Sequence, residues 1–240
     1  MARNTRLKVD HTARVRLHMI NLVREQGLSP PSVAIAEAIA LLHDIGRFEQ
    51  YQRYQTFNDD ISVDHGACGL EVIDRESCLT DFSDEEQELI RTGVAFHNKL
   101  QIPDHLDELS ILLVKLIRDA DKLDIMQLIL NDYEKEPASR NPAIDLDMPE
   151  TEGYQNYYLD EIYKNRIVDR RFIHNVNDLR LVRLSWIFDL HFKYSFLYTE
   201  KIMFVDKMTS RLPGSPEIEE VKCYLRDFIT SKTTHVDIGN

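Results

Sequence analysis

Apolar residues recur at helical spacing in the first part of the chain. A stripe with the spacing i, i+4, i+7 and i+11 predicts a helix over about residues 5–26, and its members are His11, Val15, His18 and Leu22. Gly27 is suited to end that helix. After a Ser-Pro-Pro turn, the segment SVAIAEAIALLHDIG is rich in alanine and apolar almost all round. This composition predicts a buried central helix that stops near Gly46.

The next segment, residues 47–60, breaks this pattern. It is polar and aromatic, and it predicts an irregular loop or short helices that lead into a helix beginning near Val63. Loops of this kind often carry function, so some of its side chains are candidates for contacting a substrate, with a packed lid as the alternative. The candidates are Tyr51, Tyr54, Phe57 and Asn58.

Helical patterns continue to the end of the chain. Amphipathic stretches predict helices over about residues 84–98, 107–130, 179–198 and 216–231. Asn-Pro, Met-Pro and Glu-Gly pairs in residues 131–152 predict a surface connection between two parts. We therefore expect an all-α protein, with a helical bundle in residues 1–130 and a helical extension in residues 131–240 that packs on it.

The charge balance narrows the range of partners. The 240 residues carry 29 basic and 41 acidic side chains, so the formal net charge is −12. Nucleic-acid polymers are held by clustered Lys and Arg, so this composition argues against a nucleic-acid partner. An anionic small molecule would have to be bound by a few local cationic groups.

The cysteines and the hydropathy of the chain indicate the cellular compartment in which we expect the protein. The three cysteines have no paired spacing suited to a thiolate zinc site, and their odd number does not suggest a disulfide framework. The polar N-terminus lacks an apolar signal core, and no segment approaches the roughly 18 apolar residues of a membrane span. We expect a cytoplasmic protein that does not contact a membrane.

The His43-Asp44 pair is the first candidate for chemistry. It lies at the predicted end of the most hydrophobic helix, where a carboxylate is costly unless it is paired, hydrogen-bonded or bound to a metal ion. Imidazole nitrogen and carboxylate oxygen are ordinary ligands of Zn, Mn, Fe and Ni. Taken alone, the dipeptide is equally compatible with a simple His–Asp hydrogen bond.

Other histidines and aspartates lie on separate predicted helices. His11 precedes the pair, and His65, His97 and Asp121 follow it, so five elements could point a ligand inward. His18 shares the helical face of His11 and is the alternative first ligand. Asp119 and Asp124 flank Asp121, and either could orient a ligand or be solvated.

In the order of these residues, the chain resembles the HD superfamily of metal-dependent phosphohydrolases. Three motifs carry the likeness: HTARV at His11, ALLHDIGRF at residues 40–48 and RDADKLD at residues 118–124. The likeness covers about residues 11–128 and is specific for the superfamily but not for a substrate, because one helical frame hosts many chemistries. It implies an HD-domain helical bundle, with further helices in the C-terminal part. It also favours His11 over His18, since HTARV matches the family pattern.

The resemblance implies a ligand set position by position. The ligands of a first metal ion would be His11, His43, Asp44 and Asp121. His65 and His97 match the additional histidines of binuclear members, in which Asp44 would bridge two ions; alternatively they contact substrate phosphate or structural waters. The implied cofactor is one or two divalent ions of Fe, Mn, Ni or Zn.

The implied reaction is metal-assisted hydrolysis of a small phosphomonoester, nucleotide or phosphodiester at Asp44. Arg47, one turn beyond the pair, could hold a phosphate oxygen, and Lys122 could add positive charge. The alternative for both is an ordinary basic residue at a helix end or surface. Asp64 could orient the neighbouring His65 or simply begin a helix.

Two other functions stay open at this point. One is a binuclear-iron oxygenase, because myo-inositol oxygenase has a similar order of ligands; Arg47 and the commoner activity of the superfamily favour hydrolysis. The other is a non-catalytic nucleotide-binding module, which the complete ligand set disfavours. The C-terminal part would either cover the site or form the contact of a homo-oligomer.

Overall fold

The computed structural model describes residues 2–168 and 172–234. This part of the chain is helical and contains no β-strand, which confirms the all-α expectation. The chain divides into two compact units, residues 1–124 and 125–240. The division falls inside a long helix and not in the polar connection that follows it. The packing of residues 131–240 on the first part stays a prediction.

Five complete helices and the start of a sixth form the first unit. Their bounds are α1 Ala2–Glu25, α2 Pro30–Leu42, α3 Gly46–Tyr54, α4 His65–Arg75, α5 Asp84–Phe96 and α6 Glu108–Tyr133. Helix α2 packs against α1 and α5, and α4 packs against α3 and α5. The buried face of α2, which includes Ile35, Ala36, Ile39 and Ala40, therefore lies between two neighbouring helices.

Local sequence signals explain where these helices begin. Two prolines occupy the first turn of α2, where a missing backbone N–H costs nothing. Helix α5 begins with a capping box, in which the Ser83 hydroxyl accepts from the Glu86 backbone while the Glu86 carboxylate accepts from the Ser83 backbone. Asp64 caps α4 by accepting from the Ala67 backbone N–H at 3.0 Å.

The segment after the His43-Asp44 pair is more ordered than its polarity indicates. Helix α2 ends at Leu42, a short turn holds the pair, and α3 covers Gly46–Tyr54. Only residues 55–64 then form a loop, with a 3₁₀ turn at Asp59–Ile61, before α4 begins at His65 rather than near Val63.

Close backbone contact brings the starts of α3 and α4 together. A Cβ atom added at Gly46 would lie 2.2 Å from the His65 carbonyl oxygen and 2.5 Å from the Gly69 backbone nitrogen. Only glycine allows this approach. The contact places the first residue of α4, His65, next to the turn that carries Asp44.

In the residues that the structure describes, the second unit contains the end of α6 and five shorter α-helices. These are α7 Asn156–Tyr163, α8 Val176–Ser185, α9 Lys193–Lys201, α10 Phe204–Thr209 and α11 Pro216–Thr234. The single helix expected over about residues 179–198 is instead two helices, separated by a 3₁₀ turn at Trp186–Asp189 and an extended Leu190. Helix α11 packs against α7, α9 and α10 through a buried apolar stripe of Ile218, Val221, Leu225 and Ile229.

Within the described part of the chain, no helix is both long enough and apolar enough to cross a membrane.

Candidate metal centre

Six side chains from the first unit meet in two adjacent groups. One group comprises His11, His43 and Asp121, and the other comprises Asp44, His65 and His97. Within each group, the nitrogen and oxygen atoms that could bind a metal ion lie within 4.8 Å of one another. These are the six residues that the sequence singles out as ligands.

Most of these side chains lie at or directly beyond the end of a helix. His43 and Asp44 directly follow α2, His65 opens α4 and His97 directly follows α5, while His11 and Asp121 project from within α1 and α6. The side chains of the other five are at most 5% exposed, and that of Asp121 is 19% exposed. Asp121 is therefore the most exposed member of the two groups.

Asp44 faces both groups at once. Its Oδ2 atom lies 3.4 Å from His11 Nε2 and 3.7 Å from His43 Nε2. Its Oδ1 atom lies 3.4 Å from His65 Nε2 and 4.0 Å from His97 Nε2. Asp44 thus presents one carboxylate oxygen to each pair of histidines.

Hydrogen bonds place the proton of each histidine on the outer nitrogen. His43 Nδ1 donates to the Ala40 carbonyl at 2.9 Å, and His97 Nδ1 donates to the Val94 carbonyl at 2.7 Å. A carbonyl oxygen can only accept, so Nδ1 must carry the proton. In each neutral ring, the Nε2 lone pair is therefore free to bind a cation.

In the other two rings, a carboxylate oxygen accepts the hydrogen bond from Nδ1. His11 Nδ1 donates to Asp124 Oδ2 at 2.6 Å, and His65 Nδ1 donates to Asp59 Oδ2 at 2.6 Å. Such outer carboxylates orient a ligating imidazole and raise its basicity. Asp124 is one of the two candidates that flank Asp121. Asp59 takes the part that the sequence suggests for Asp64, which instead caps α4 and pairs with Lys99.

The inner nitrogen atoms of the four rings lie in two close pairs. His65 Nε2 lies 2.9 Å from His97 Nε2, and His11 Nε2 lies 3.4 Å from His43 Nε2. The lone pairs of two neutral rings at this distance repel each other, and the proton that His11 Nε2 carries when charged points toward Asp121 Oδ1, which lies 3.0 Å away. These atoms suit one or two divalent ions with imidazole and carboxylate ligands.

The protonation of the rings agrees with this donor set. Burial, together with the neighbouring His65 and His43, lowers the pKa of His97 to about 3, and burial also lowers the pKa of His43 and of His65. His11 differs: burial opposes its charged form, yet hydrogen bonds to Asp121, Asp124 and Asp44 raise its pKa to about 10. A proton on His11 supplies the positive charge that the carboxylates demand, and a metal ion would replace it.

Among the described residues, two cations contact Asp44 and a third contacts Asp124, the carboxylate that accepts from His11. Lys8 Nζ donates to Asp44 Oδ2 at 2.6 Å, Arg14 Nε donates to Asp124 Oδ1 at 2.5 Å, and Arg47 Nε lies 3.4 Å from Asp44 Oδ1. Sequence reasoning singles out only Arg47. Lys8 stands one helical turn before His11 on the same face of α1, and that spacing is the signal that could have identified it.

Arg47 donates hydrogen bonds to three acceptors within the protein. One terminal nitrogen donates to Gln50 at 2.8 Å, to the Phe57 carbonyl at 2.6 Å and to Asp59 at 2.6 Å. Gln50 is fully buried and donates to Asp59 at 2.8 Å as well. Arg47 thus positions the carboxylate that orients His65, and its contact with a substrate phosphate stays a prediction.

The remaining candidates lie elsewhere or are only partly placed. Burial lowers the pKa of His18 to about 4, and this histidine belongs to neither group of potential ligands. Lys122 Nζ lies 3.5 Å from the Arg118 carbonyl on the same helix, so its contribution of charge to the centre stays a prediction. Phe57 and Tyr51 form a ring pair with centroids 4.7 Å apart.

A family model matches the part of the chain that carries the candidate centre. Residues 9–126 match the family model described as HD domain. No curated protein and no solved structure gives a significant match to the chain. The matched residues include all six side chains of the two groups.

Proposed function

Because residues 9–126 place the chain in the HD superfamily, whose domains generally bind divalent metal ions, we propose that it hydrolyses a small phosphorylated substrate. The substrate is a phosphomonoester, a nucleotide or a phosphodiester. In the proposed centre, His11, His43 and Asp121 would hold one ion, His65 and His97 would hold a second, and Asp44 would contribute to both.

The position of Asp44 is the observation that supports this proposal best. Each of its oxygens faces two histidine nitrogens whose protons are held on the far side of the ring. A His–Asp pair with only a structural role needs one hydrogen bond between the imidazole and the carboxylate. Four inward imidazole nitrogens around one buried carboxylate, with a proton on His11 that a metal ion would replace, suit a pair of cations instead.

Bound divalent ions would generate a nucleophile from water at neutral pH and neutralise charge on the transferring phosphoryl group. The protein's own residues hold the ions in place. Asp124 and Asp59 keep the protons of His11 and His65 on Nδ1, and backbone carbonyls do the same for His43 and His97. Asp121, the most exposed of the six, lies where a substrate would enter.

Metal content of the wild type and of Asp44→Ala tests the proposal first. The matched control is Asp81→Ala, which removes an exposed carboxylate from the same unit. We expect about two equivalents of transition metal in the wild type and the control, and loss of most of it in Asp44→Ala. Phosphoester hydrolysis should follow the metal content.

Two results would contradict the proposal. Wild-type protein that binds neither Mn, Fe, Ni nor Zn would remove the metal centre. Protein that binds iron and consumes oxygen with a small polyol, but releases no phosphate from any phosphoester, would instead identify the oxygenase alternative.

A further inference from the structure

Among the described residues, Lys8 is a largely buried cation whose ion pair is made with a proposed metal ligand alone. Its Nζ lies 2.6 Å from Asp44 Oδ2, and its side chain is 13% exposed. A buried ammonium is costly unless an opposite charge compensates it. Asp44 provides that compensation in the structure.

The other two bordering cations have carboxylates of their own. Arg14 pairs with Asp124, and Arg47 pairs with Asp59 at 2.6 Å; neither carboxylate belongs to the proposed ligand set. Metal binding would leave both of these pairs intact. Among the described residues, the ion pair of Lys8 is made with Asp44 alone, and the charge of Asp44 would be shared with the ions.

Among the residues that the structure describes, no second carboxylate forms an ion pair with the Lys8 ammonium. Its Nζ lies 5.5 Å from the centre of the Phe57 ring, which packs against Tyr51. The Tyr51 hydroxyl accepts a hydrogen bond from Asn4 at 2.9 Å, one turn before Lys8 on α1. These described neighbours of Lys8, which are Asn4 on α1 and the rings of Phe57 and Tyr51, are polar or aromatic and carry no carboxylate.

We propose that Lys8 binds a non-bridging phosphate oxygen of the substrate and thereby selects phosphomonoester dianions over phosphodiester monoanions. The inference rests on the proposed function, because it takes the two-metal centre as given. Once cations share the charge of Asp44, the ammonium needs a new counter-charge within reach of Asp44 Oδ2. A phosphate oxygen beside the centre supplies it through a charge-assisted hydrogen bond.

A purely structural role for Lys8 predicts a different result. If the ammonium only orients Asp44, its removal would weaken metal binding and leave phosphate selectivity unchanged. If it binds phosphate, its removal would take away a cation that competes for Asp44. Metal would then bind as tightly as before or more tightly, and phosphate would bind more weakly.

The test compares four proteins: wild type, Lys8→Met, Lys8→Arg and the control Arg6→Met. Arg6 lies on the same helix, its side chain is 75% exposed, and it pairs with Asp10. Mn²⁺ titration gives the metal affinity. Calorimetric titration of the Mn-loaded proteins then gives the affinities for inorganic phosphate, above its second pKa, and for dimethyl phosphate.

We expect Lys8→Met to keep its Mn²⁺ affinity and to bind inorganic phosphate about tenfold more weakly, with a smaller loss for dimethyl phosphate. Lys8→Arg should retain most of the phosphate affinity, and Arg6→Met should match the wild type. Lys8→Met protein that binds phosphate within twofold of the wild type would overturn the inference. So would weakened Mn²⁺ binding with unchanged selectivity, or Mn-loaded wild type that does not bind phosphate. Wild type that binds no divalent ion would contradict the proposed function itself.

Discussion

The positions of protons on four imidazole rings decide what this cluster of residues can hold. Each Nδ1–H is bound by an acceptor that cannot donate, and each Nε2 is left facing Asp44 or Asp121. Two of the acceptors are backbone carbonyls three residues earlier in the chain, which a histidine just beyond a helix reaches without help from another segment. The other two are carboxylates from separate segments.

Asp59→Asn should weaken metal binding through His65. The negative charge of Asp59 is stabilised by His65 and Arg47, which hold the pKa of this half-buried carboxyl below its usual range although burial opposes them. Loss of that charge lowers the basicity of His65 and loosens its orientation. We expect the Mn²⁺ affinity to fall by about 10- to 100-fold, measured by titration of the chelator-treated protein.

Asp64→Asn is the matched control for this prediction. Asp64 lies next to His65 in sequence but caps α4, and Asn is an equally good cap. Its Mn²⁺ affinity should stay close to that of the wild type. Equal losses in the two variants would show that general negative charge near α4, and not the hydrogen bond from His65, supports the centre.

At the scale of helices, the centre depends on where elements end. The turn between α2 and α3 carries the His43-Asp44 pair, and the first residue of α4 is a proposed ligand. These two points are neighbours because Gly46 allows the backbones of α3 and α4 to touch. A side chain at that position would push His65 away from Asp44.

Gly46→Ala should therefore destabilise the protein strongly. The new Cβ would meet backbone atoms of His65 and Gly69, which cannot rotate away as a side chain could. We expect a loss of about 3 kcal/mol in the free energy of unfolding, measured by urea titration. Gly214→Ala is the control, because a Cβ there meets nothing within 4 Å. A loss no greater than that of the control would show that α3 and α4 separate without cost.

At the scale of the whole molecule, the net negative charge of the protein and the positive charge at the proposed metal centre act oppositely on an anionic substrate. The chain carries a net charge of −12, which repels anionic substrates at long range, while the centre concentrates cations in one place. Lys8, Arg14 and Arg47 all lie beside Asp44 or Asp124. An anion is thus attracted only close to the site, and divalent cations are attracted from a distance.

Metal loading should stabilise the folded protein, because the six groups come together only after folding. At a Mn²⁺ concentration of 100 times the dissociation constant, the gain is about 2.7 kcal/mol. For a chain of this size, we expect a rise of about 5–10 °C in the unfolding temperature, measured by calorimetry with and without Mn²⁺. Asp44→Ala should show little rise. The same rise in that variant would mean that Mn²⁺ binds elsewhere.

The sequence by itself determined the class of fold and the members of the cluster. Periodic apolar positions predict most helices of the first unit because amphipathic and buried helices repeat every 3.6 residues. His11, His43, Asp44, His65, His97 and Asp121 are recognisable because the motifs around His11, His43 and Asp121 resemble one family and their order completes its ligand set. The break at Trp186 was not predictable, since apolar packing residues continue through it without a proline or glycine.

Only the tertiary structure decided which side chains form hydrogen bonds or ion pairs with these six residues. It assigns the orientation of His65 to Asp59 and not to Asp64, and it brings Lys8 to Asp44 across 36 positions of sequence. Each of these pairs joins segments that have no shared periodicity. The physical reason is that hydrogen bonds and ion pairs depend on distances of about 3 Å, which arise from helix packing and backbone contacts such as that at Gly46.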